Sequence, residues 1–533
     1  MRARLSALLL ACCLLAAAPA RALDPAVVAK FASDDIAVRL EAIDALAASG
    51  EEAALTLLQA LSNGEVHVTP DSRVIVVSEQ LLDAATLQPL DPAPEEYEAV
   101  VVNNRMRSKL ERAIGALSLL SPERETRLAS ARAVEGTRDP SLLPLLQRAL
   151  AKETDPLIRR SLGHTVAVLD VKSEDRSRRL AAVRVLAESN QAPVRTLLLE
   201  LLGKDGAGNL VETDPEVRDA AQSALKAVER RLAFSDYFGR IFSGLSLGSI
   251  LLLVALGLAI TYGLLGVINM AHGEMLMIGA YATYVTQQIF RAHFPGAFDW
   301  YVIAAIPAAF ASAALVGMAL ERTVIRWLYG RPLETLLATW GISLFLIQLV
   351  RQIFGAQNVE VSNPSWLSGG VEFANVVMPY NRIVIIAFSM LVLLLMWLLL
   401  SRTRLGLFIR GVTQNRTMAS CVGVPTGRVD LLAFGLGSGI AGLGGVALSQ
   451  IGNVGPDLGQ AYIIDSFMVV VLGGVGQLAG TVYAGLGLGV MSKLIEPHIG
   501  AVLTKILILV LIIAFIQKRP QGLFALKGRA VEA

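Results

Sequence analysis

The hydrophobic and polar positions divide the chain into two unlike parts near residue 235. Up to about Phe234, apolar residues recur at three- and four-residue spacing among many Arg, Glu and Ala residues, which is typical of amphipathic helices. From Ile241 to Gly273 no Asp, Glu, Lys or Arg occurs, and further apolar runs follow to Phe515. The first apolar run is longer than one membrane span requires, so the second part predicts several transmembrane helices.

Nine apolar segments of the second part are candidate spans. The loops at 321–331 and 401–428 and the C-terminal tail are rich in Arg and Lys, so we expect them on the cytoplasmic side. The odd number of spans before residue 321 then places the first part of the chain outside. The candidates are about residues 242–262, 264–290, 301–320, 335–353, 383–400, 431–451, 466–476, 478–494 and 501–516. The seventh is short enough to be re-entrant, so we expect eight or nine spans.

The first 22 residues have the pattern of a secretory signal peptide. Arg2 and Arg4 precede an apolar run, and a small-x-small cleavage site ends at Ala22. An uncleaved anchor helix is the alternative, but the run is too short for about 30 Å of hydrocarbon. We therefore expect a signal peptide at 1–22, an exported helical domain at 23–235 and a membrane domain at 236–533, with an all-α fold throughout.

A local signature recurs in the first part, an acidic residue four positions before an arginine. It resembles the pattern of HEAT-like helical pairs, which bury their apolar faces by stacking on neighbours. We expect the arginines to form a solvated, salt-bridged helix surface, and a spacer without a binding role is the alternative. The pairs are Asp35 with Arg39, Glu123 with Arg127, Asp155 with Arg159, Asp175 with Arg179, and Asp214 with Arg218.

Two further local features of the first part predict structure. Asp155 and Asp214 are each followed by proline, which predicts a helix cap and a first-turn proline. Residues 64–99, rich in valine and proline, interrupt the helical pattern. We expect a loop or a short hairpin there.

Composition and charge exclude several classes of function. Of the 533 residues, 54% are hydrophobic and 17% are charged, which is typical of a membrane protein. The net charge of +2 without a clustered basic face argues against a nucleic-acid partner. Because no Walker A sequence, metal-binding pattern or nucleophile elbow occurs, we expect no enzymatic activity, no metal and no cofactor.

Three polar residues, Asn269, His272 and Glu274, stand in the second apolar stretch, where ionisable groups are costly. At 100° per residue Asn269 and His272 share a helix face, whereas Glu274 lies nearly opposite. Either Gly273 marks a helix break that lines a polar substrate pathway, or Glu274 lies at the cytoplasmic mouth. A buried hydrogen-bonded network that fixes helix register is the alternative.

Glycines break another segment. Gly473, Gly474 and Gly476 are expected either to line the pathway or to allow close helix packing, with Gly476 and Gly480 forming a small-x-x-x-small pair.

Two sequence motifs resemble those of the branched-chain amino acid type of ABC transporter permeases. They are Gly-Val-Ile-Asn-Met-Ala-His-Gly-Glu at 266–274 and Val-Leu-Gly-Gly-Val-Gly at 471–476. The resemblance implies a polytopic permease of the bacterial inner membrane, surrounded by lipid. It also implies a second permease subunit, two cytoplasmic ATPase subunits and a periplasmic substrate-binding protein as partners.

The stretch Thr413 to Val424 resembles the loop by which such permeases dock onto their ATPases. Gln414 and Asn415 stand where the family usually has an acidic residue. Ala419 and Gly423 are four residues apart on a predicted short helix that Pro425 helps to end. We therefore expect them to present a small-residue face to the ATPase, next to Val424.

Residues 333–343 and the Asn-Pro-Ser-Trp sequence at 363–366 resemble the urea permeases of this family, which also carry a long exported N-terminal domain. Urea is therefore the expected substrate. A branched-chain amino acid or a short amide is the alternative. A passive channel for polar solutes is a further alternative, against which the docking loop counts.

Overall fold

The structure is a computed structural model that describes residues 23–524, except 79, 91–93, 95, 138, 207, 267, 374 and 375. The predicted signal peptide and the end of the basic tail lie outside the described residues. The chain divides into two compact units that meet at Leu232 and Ala233. The sequence placed this boundary after residue 235.

The first unit is mainly helical. Asp155 accepts the N–H groups of Leu157 and Ile158, and Asp214 accepts those of Glu216 and Val217, so both predicted caps are confirmed. The helices are α1 Pro25–Ala29, α2 Ile36–Ser49, α3 Glu52–Asn63, α4 Asn104–Leu117, α5 Arg124–Val134, α6 Leu143–Lys152, α7 Pro156–Asp170, α8 Arg176–Leu186 and α9 Ala192–Leu202, with 3₁₀ turns at Lys30–Ala32, Ser118–Leu120 and Pro140–Leu142.

The expectation of an all-α fold is wrong for two segments. In the first unit an antiparallel sheet in the order β3-β2-β1-β4 replaces the expected loop or hairpin. Its strands are β1 Val66–Val68, β2 Val74–Val77, β3 Leu81–Asp83 and β4 Glu98–Ala99. Runs of β-branched valine favour strands because they pack well on a pleated surface. In the second unit β5 Gly370–Phe373 pairs with β6 Val376–Pro379.

Two arginines of the recurring signature are largely buried rather than solvated. Arg127 donates from Nε and Nη2 to the two carboxylate oxygens of Glu153 at 2.9 and 3.3 Å. Arg179 donates in the same way to Glu212 at 2.8 and 3.2 Å. The two glutamate side chains are only 3% and 4% exposed. The bond from Arg127, together with nearby backbone N–H groups, holds the pKa of Glu153 below its usual range against the cost of burial.

The second unit contains the apolar helices. The helices are α10 Pro215–Leu265, which begins in the first unit, α11 His272–His293, α12 Tyr301–Thr323, α13 Pro332–Phe354, α14 Tyr380–Arg402, α15 Arg404–Gln414, α16 Arg416–Cys421, α17 Thr426–Ser449, α18 Leu458–Gly473, α19 Leu478–Ile499 and α20 Ala501–Lys518, with 3₁₀ turns at Pro295–Trp300, Ile325–Trp327 and Ser365–Leu367. Among the described residues, seven helices are long and apolar enough to cross a membrane: α10, α12, α13, α14, α17, α19 and α20. The protein is therefore a multi-pass membrane protein.

Two of the predicted spans have the wrong bounds. Residues 264–290 do not form one helix, because the chain leaves α10 at Gly266, whose φ of +65° is left-handed, and α11 begins only at His272. The segment predicted at 466–476 is the end of α18, which begins at Leu458. Neither α11 nor α18 belongs to the seven helices above.

Helix α17 lies at the centre of the second unit and packs through glycine. A Cβ atom added at Gly437 would lie 2.6 Å from the carbonyl oxygen of Gly257 on α10. One added at Gly442 would lie 2.7 Å from Ala309 O on α12, and one at Gly279 of α11 would lie 2.2 Å from Gly442 O. Only glycine allows backbones to approach so closely, so these contacts fix α10, α11 and α12 around α17.

Candidate functional site

The beginnings of α11 and α18 meet inside the second unit. Gly273 is the second residue of α11 and Gly459 the second residue of α18. A Cβ atom added at Gly459 would lie 2.4 Å from Gly273 O, and one added at Gly273 would lie 2.5 Å from Gly459 O. The expectation that Gly273 marks the helix break is therefore wrong. The break lies just before it, at 266–271, and Gly273 serves the contact between the two helix starts.

Helix α11 starts well back from the end of α10. The ring of His272 places Nε2 3.1 Å from the carbonyl oxygen of Val254. Val254 lies eleven residues before the end of α10 at Leu265, which is about 16 Å along the axis at 1.5 Å per residue. Because His272 is fully buried, α11 begins in the interior of the unit, as a discontinuous helix does.

The three polar residues predicted from the sequence are all buried here. Asn269, His272 and Glu274 are 2%, 0% and 1% exposed. Glu274 Oε1 accepts a hydrogen bond from Ser343 Oγ at 2.8 Å, and Asn269 Oδ1 accepts one from the N–H of Ala271 at 3.0 Å. Glu274 is therefore not at an exposed mouth. The helical-wheel argument does not apply either, because Asn269 precedes the helix.

Each of these three side chains retains one buried polar atom without a partner in the described part of the chain. The atoms are Asn269 Nδ2, His272 Nδ1 and Glu274 Oε2. Glu274 Oε2 faces the first turn of α18, since a Cβ atom at Gly459 would lie 2.8 Å from it. Unsatisfied polar atoms are costly in a membrane interior, so a group that can hydrogen-bond to them would be stabilised there.

Three hydroxyl groups that line the site were missed by the sequence analysis. Thr335, Thr339 and Ser343 on α13 are 1%, 0% and 3% exposed. Thr339 Oγ1 accepts the N–H of Met270 at 3.2 Å, so it satisfies part of the broken backbone. Their spacing of four residues in an otherwise apolar span places them on one face and could have indicated a polar stripe.

Gly459 was also missed, although the sequence carries a signal for it. Gly266, Gly273 and Glu274 have the same spacing as Gly452, Gly459 and Gln460. Helices α11 and α18 begin six residues after Gly266 and Gly452, respectively. The shared spacing indicates that one local design, a glycine followed by a non-helical segment and a new helix, occurs twice.

The paired helix starts give the site its electrostatic character. A helix N-terminus carries a partial positive charge and N–H groups that lack helical partners. In the described residues no side chain caps α11 or α18. Discontinuous helices of this kind place anionic groups of substrates at their N-termini in transporters. The arrangement can therefore accept a carboxylate as well as neutral hydrogen-bonding groups.

The predicted docking loop is helical, but the expected small-residue face is wrong. Helix α16 is capped by Asn415, whose Oδ1 accepts the N–H of Met418 at 2.9 Å. Ala419 is only 6% exposed and faces the protein. Gly423 lies beyond the end of α16 with a φ of +86°, and Val424 N–H bonds back to Ala419 O at 3.0 Å.

The exposed face of the loop is apolar instead. Met418 is 60% exposed and Val422 is 75% exposed, four residues apart. Gln414, at the end of α15, lies on another face. With Gly476, Trp397 and Arg410 it lines a cavity of about 430 Å³.

An ion pair and an aromatic ring hold α16 in place. Arg416 Nη1 donates to Asp430 Oδ1 at 3.3 Å, and its guanidinium lies 4.8 Å from the centroid of the Tyr329 ring. The Tyr329 hydroxyl donates to Glu321 Oε1 at 3.0 Å. Burial, reinforced by the carboxylates of Asp430 and Glu321, raises the pKa of Tyr329, so the phenol remains a donor.

The glycines between α18 and α19 serve close contacts. A Cβ atom at Gly473 would lie 2.5 Å from the backbone of Gly480, so Gly480 pairs with Gly473 rather than with Gly476. Gly474 and Gly476 have φ values of +100° and +81°. A Cβ atom at Gly263 of α10 would lie 2.7 Å from the Cα of Gly476. These positions therefore require glycine for packing and for backbone conformation.

Comparisons with known proteins concern the second unit. The family described as branched-chain amino acid transport system, permease component, matches residues 240–516. The high-affinity branched-chain amino acid transport system permease protein LivH of Salmonella typhimurium is 30% identical over 298 residues, 54% of this chain and 96% of the relative. BraD of Pseudomonas aeruginosa, a permease protein of the same description, is 30% identical over 54% of this chain and 95% of its own length.

More distant relatives have other substrates in their names. The fructose import permease protein FrcC of Rhizobium meliloti is 27% identical over 48% of this chain and 71% of its own length. No solved structure matches the chain significantly.

Proposed function

Because the chain belongs to the family of permease components of branched-chain amino acid transport systems, we propose that it is one permease subunit of an ATP-driven importer of branched-chain amino acids. The family consists of transport subunits and not of enzymes. The observation that carries the proposal is the family match over residues 240–516, which contains both the paired helix starts and the α16 loop.

The geometry of the site supports an amino acid over a neutral solute. An amino acid has a carboxylate, which the N-termini of α11 and α18 can stabilise, and an ammonium group, which the free oxygen of Glu274 can accept. We propose that Asn269, His272, Gly273 and Glu274 line the pathway, with Ser343 orienting Glu274. Gly473, Gly474 and Gly476 then support the pathway through packing.

Urea, the substrate expected from the sequence, is the second candidate. The relatives named for branched-chain amino acids are covered almost completely by about half of this chain. They therefore supply no counterpart for most of the first unit, whereas an additional exported domain is a feature that the resemblance attributes to urea permeases. This observation keeps urea as a competing substrate and the uptake experiment below decides between the two.

The test is uptake of labelled leucine and labelled urea by cells that express the complete transporter. We expect leucine uptake, and we expect Glu274→Gln to lower it at least about tenfold, a loss of about 1.4 kcal/mol of stabilisation. Glu334→Gln is the matched control, because Glu334 lies on α13 in an exposed ion pair with Arg331. Urea uptake without leucine uptake would reverse the assignment of substrate. Equal leucine uptake by both variants would remove Glu274 from the pathway.

We further propose that the first unit is a periplasmic HEAT-like helical domain and that the α16 loop faces the cytoplasm. The support is the signal-like N-terminus, the basic loops and the two equivalent Arg–Glu pairs, which recur 52 residues apart at Arg127 and Arg179. A reporter that is active only in the cytoplasm should remain inactive when it is fused after Leu210. Cytoplasmic activity of that fusion would contradict the topology.

The expected partners are a second permease subunit, two ATPases and a periplasmic substrate-binding protein. We propose that the ATPase closes on Met418 and Val422, which are exposed although they are apolar. Met418→Asp should abolish co-purification of the ATPase while the permease still inserts. Cys421→Ser is the control, because Cys421 is exposed on the same short helix. Normal ATPase yield with Met418→Asp would refute this docking face.

A further inference from the structure

Arg39 occupies the first of three equivalent arginine positions in the first unit. Its Nε donates to the carbonyl oxygen of Ser33, six residues earlier, at 2.6 Å. Arg127 and Arg179 each donate to the carbonyl of a serine six residues earlier, Ser121 and Ser173, at 3.1 and 3.0 Å. All three arginines therefore lie in the first turns of a helix with the guanidinium turned back to the preceding loop.

The three positions differ in what faces the guanidinium. Arg127 and Arg179 bind a buried glutamate through two parallel hydrogen bonds. The one ion pair of Arg39 within the described chain is with Asp34, at 3.8 Å, and the Asp34 side chain is fully exposed. Yet the Arg39 side chain is only 13% exposed. A largely buried guanidinium thus lacks the carboxylate that satisfies its two counterparts.

Arg39 faces a cleft of about 910 Å³ instead of a glutamate. The other charged residues that line this cleft are acidic: Asp34, Glu96 and Glu98. Its apolar lining includes Val68, Val100 and Val101, and Val101 is 73% exposed. The cleft therefore combines one cation held in a carboxylate-binding geometry, an acidic rim and an aliphatic patch.

We propose that this cleft binds a free α-amino acid with an aliphatic side chain. The carboxylate takes the position that Glu153 and Glu212 have at the other two arginines. The ammonium group lies toward the acidic rim, and the side chain packs on the valines. The opposite charges of the rim and of Arg39 favour a zwitterion, because a simple anion would be repelled by three carboxylates. The site lies in the first unit and is separate from the pathway in the second unit.

The test is equilibrium binding of labelled leucine to the purified full-length chain in detergent, without ATPases. Arg39→Gln should weaken binding at least about tenfold, since both hydrogen bonds to the carboxylate are lost. Arg39→Lys keeps the charge but not the paired geometry and should also weaken it. Arg159→Gln is the matched control, because Arg159 has the same position in the recurring signature and is exposed. Leucine binding by Arg39→Gln equal to that of the wild type would overturn the proposal.

Two further measurements keep the outcome clear. Glu98→Gln changes an exposed side chain, so it should fold normally and still weaken leucine binding. Isovalerate, which lacks the ammonium group, should compete at least about tenfold less well than leucine; equal competition would overturn the assignment of a zwitterion. Loss of leucine uptake by the complete transporter, with this binding intact, would contradict the proposed function and leave the site standing.

Discussion

In the first unit, arginine side chains reach from one helix to a carboxylate that precedes another, whereas in the second unit helix backbones touch directly at glycines. Arg127 with Glu153 and Arg179 with Glu212 exemplify the first mode. Gly273 with Gly459 exemplifies the second, and a methyl group has no room at either glycine. Both modes connect helices that are distant in sequence, but they respond differently to substitution.

The difference follows from the surroundings of each unit. A guanidinium and a carboxylate near an aqueous surface can be buried together because several hydrogen bonds satisfy them. Between apolar helices no hydrophobic force distinguishes a neighbouring helix from lipid, so close van der Waals contact at small residues takes over. The buried polar atoms of Asn269, His272 and Glu274 therefore do not act as a brace, since each of these side chains retains an unsatisfied atom among the described residues.

The largest effect is expected from breaking an arginine brace. Arg179→Leu leaves Glu212 buried without its partner, which should cost about 3 kcal/mol of the free energy of unfolding of the first unit. The measurement is urea-dependent proteolysis of the full-length protein. Tryptophan fluorescence cannot serve here, because all five tryptophans lie in the second unit.

Two variants make this prediction specific. Arg159→Leu removes an exposed arginine of the same signature and should change the stability by less than about 0.5 kcal/mol. The double variant Arg179→Leu with Glu212→Leu should recover much of the loss, because an apolar pair can replace a buried ion pair. If Arg179→Leu is no more destabilising than Arg159→Leu, the brace does not stabilise the unit.

The next effect concerns the glycine contact. Gly459→Ala places a methyl group 2.4 Å from Gly273 O, so α11 and α18 must separate. The overpacking should cost about 2 kcal/mol. Tryptophan fluorescence reports unfolding of the second unit, and leucine uptake reports the site. Gly487→Ala is the control, because no atom lies within 4 Å of a Cβ there and alanine favours the helix. Equal stability of the two variants would show that the helix starts adapt freely.

The sequence predicted the general organisation better than the contacts. Long apolar runs define membrane helices without knowledge of their neighbours, and Asp155 and Asp214 cap helices through local bonds. The start of α11 was harder to locate, because Gly266 and Gly273 are both permissive and only the contact with Gly459 distinguishes their roles. The same holds for Ala419, whose burial depends on helices remote in sequence.

The partners of the arginines also could not be predicted. The spacing of acidic residue and arginine recurs five times, and the residues inside the spacing are local caps. The carboxylates that bind Arg127 and Arg179 lie 26 and 33 residues later in the chain. A pattern based on neighbouring residues therefore detects the repeat and misses the ion pair. The sheet at 66–99 was reduced to a hairpin for a related reason, since β4 is only two residues long.

The smallest effect sharpens the comparison through two histidines that make similar contacts in the two units. His164 Nε2 lies 2.9 Å from Ser189 Oγ and His272 Nε2 lies 3.1 Å from Val254 O, and the Nδ1 atom of each has no partner among the described residues. Burial lowers the pKa of His164 from its usual value of 6.5. Above that pH both the folded and the unfolded chain are neutral at this residue. Below it the unfolded chain takes up a proton first, so the stability of the first unit falls as the pH decreases.

The expected slope is at most about 1.4 kcal/mol per pH unit, and it begins as the pH falls through the pKa of the unfolded chain. His164→Gln should therefore reduce the loss of stability between pH 7 and pH 5, measured by proteolysis of the full-length protein at each pH. His293→Gln, in the other unit, should leave the pH dependence of the first unit unchanged. If His164→Gln has the same pH dependence as the wild type, the buried ring is not what makes the first unit sensitive to acid. Acid sensitivity would then come from carboxylates such as Glu153, whose lowered pKa stabilises the folded unit until the pH falls through that value.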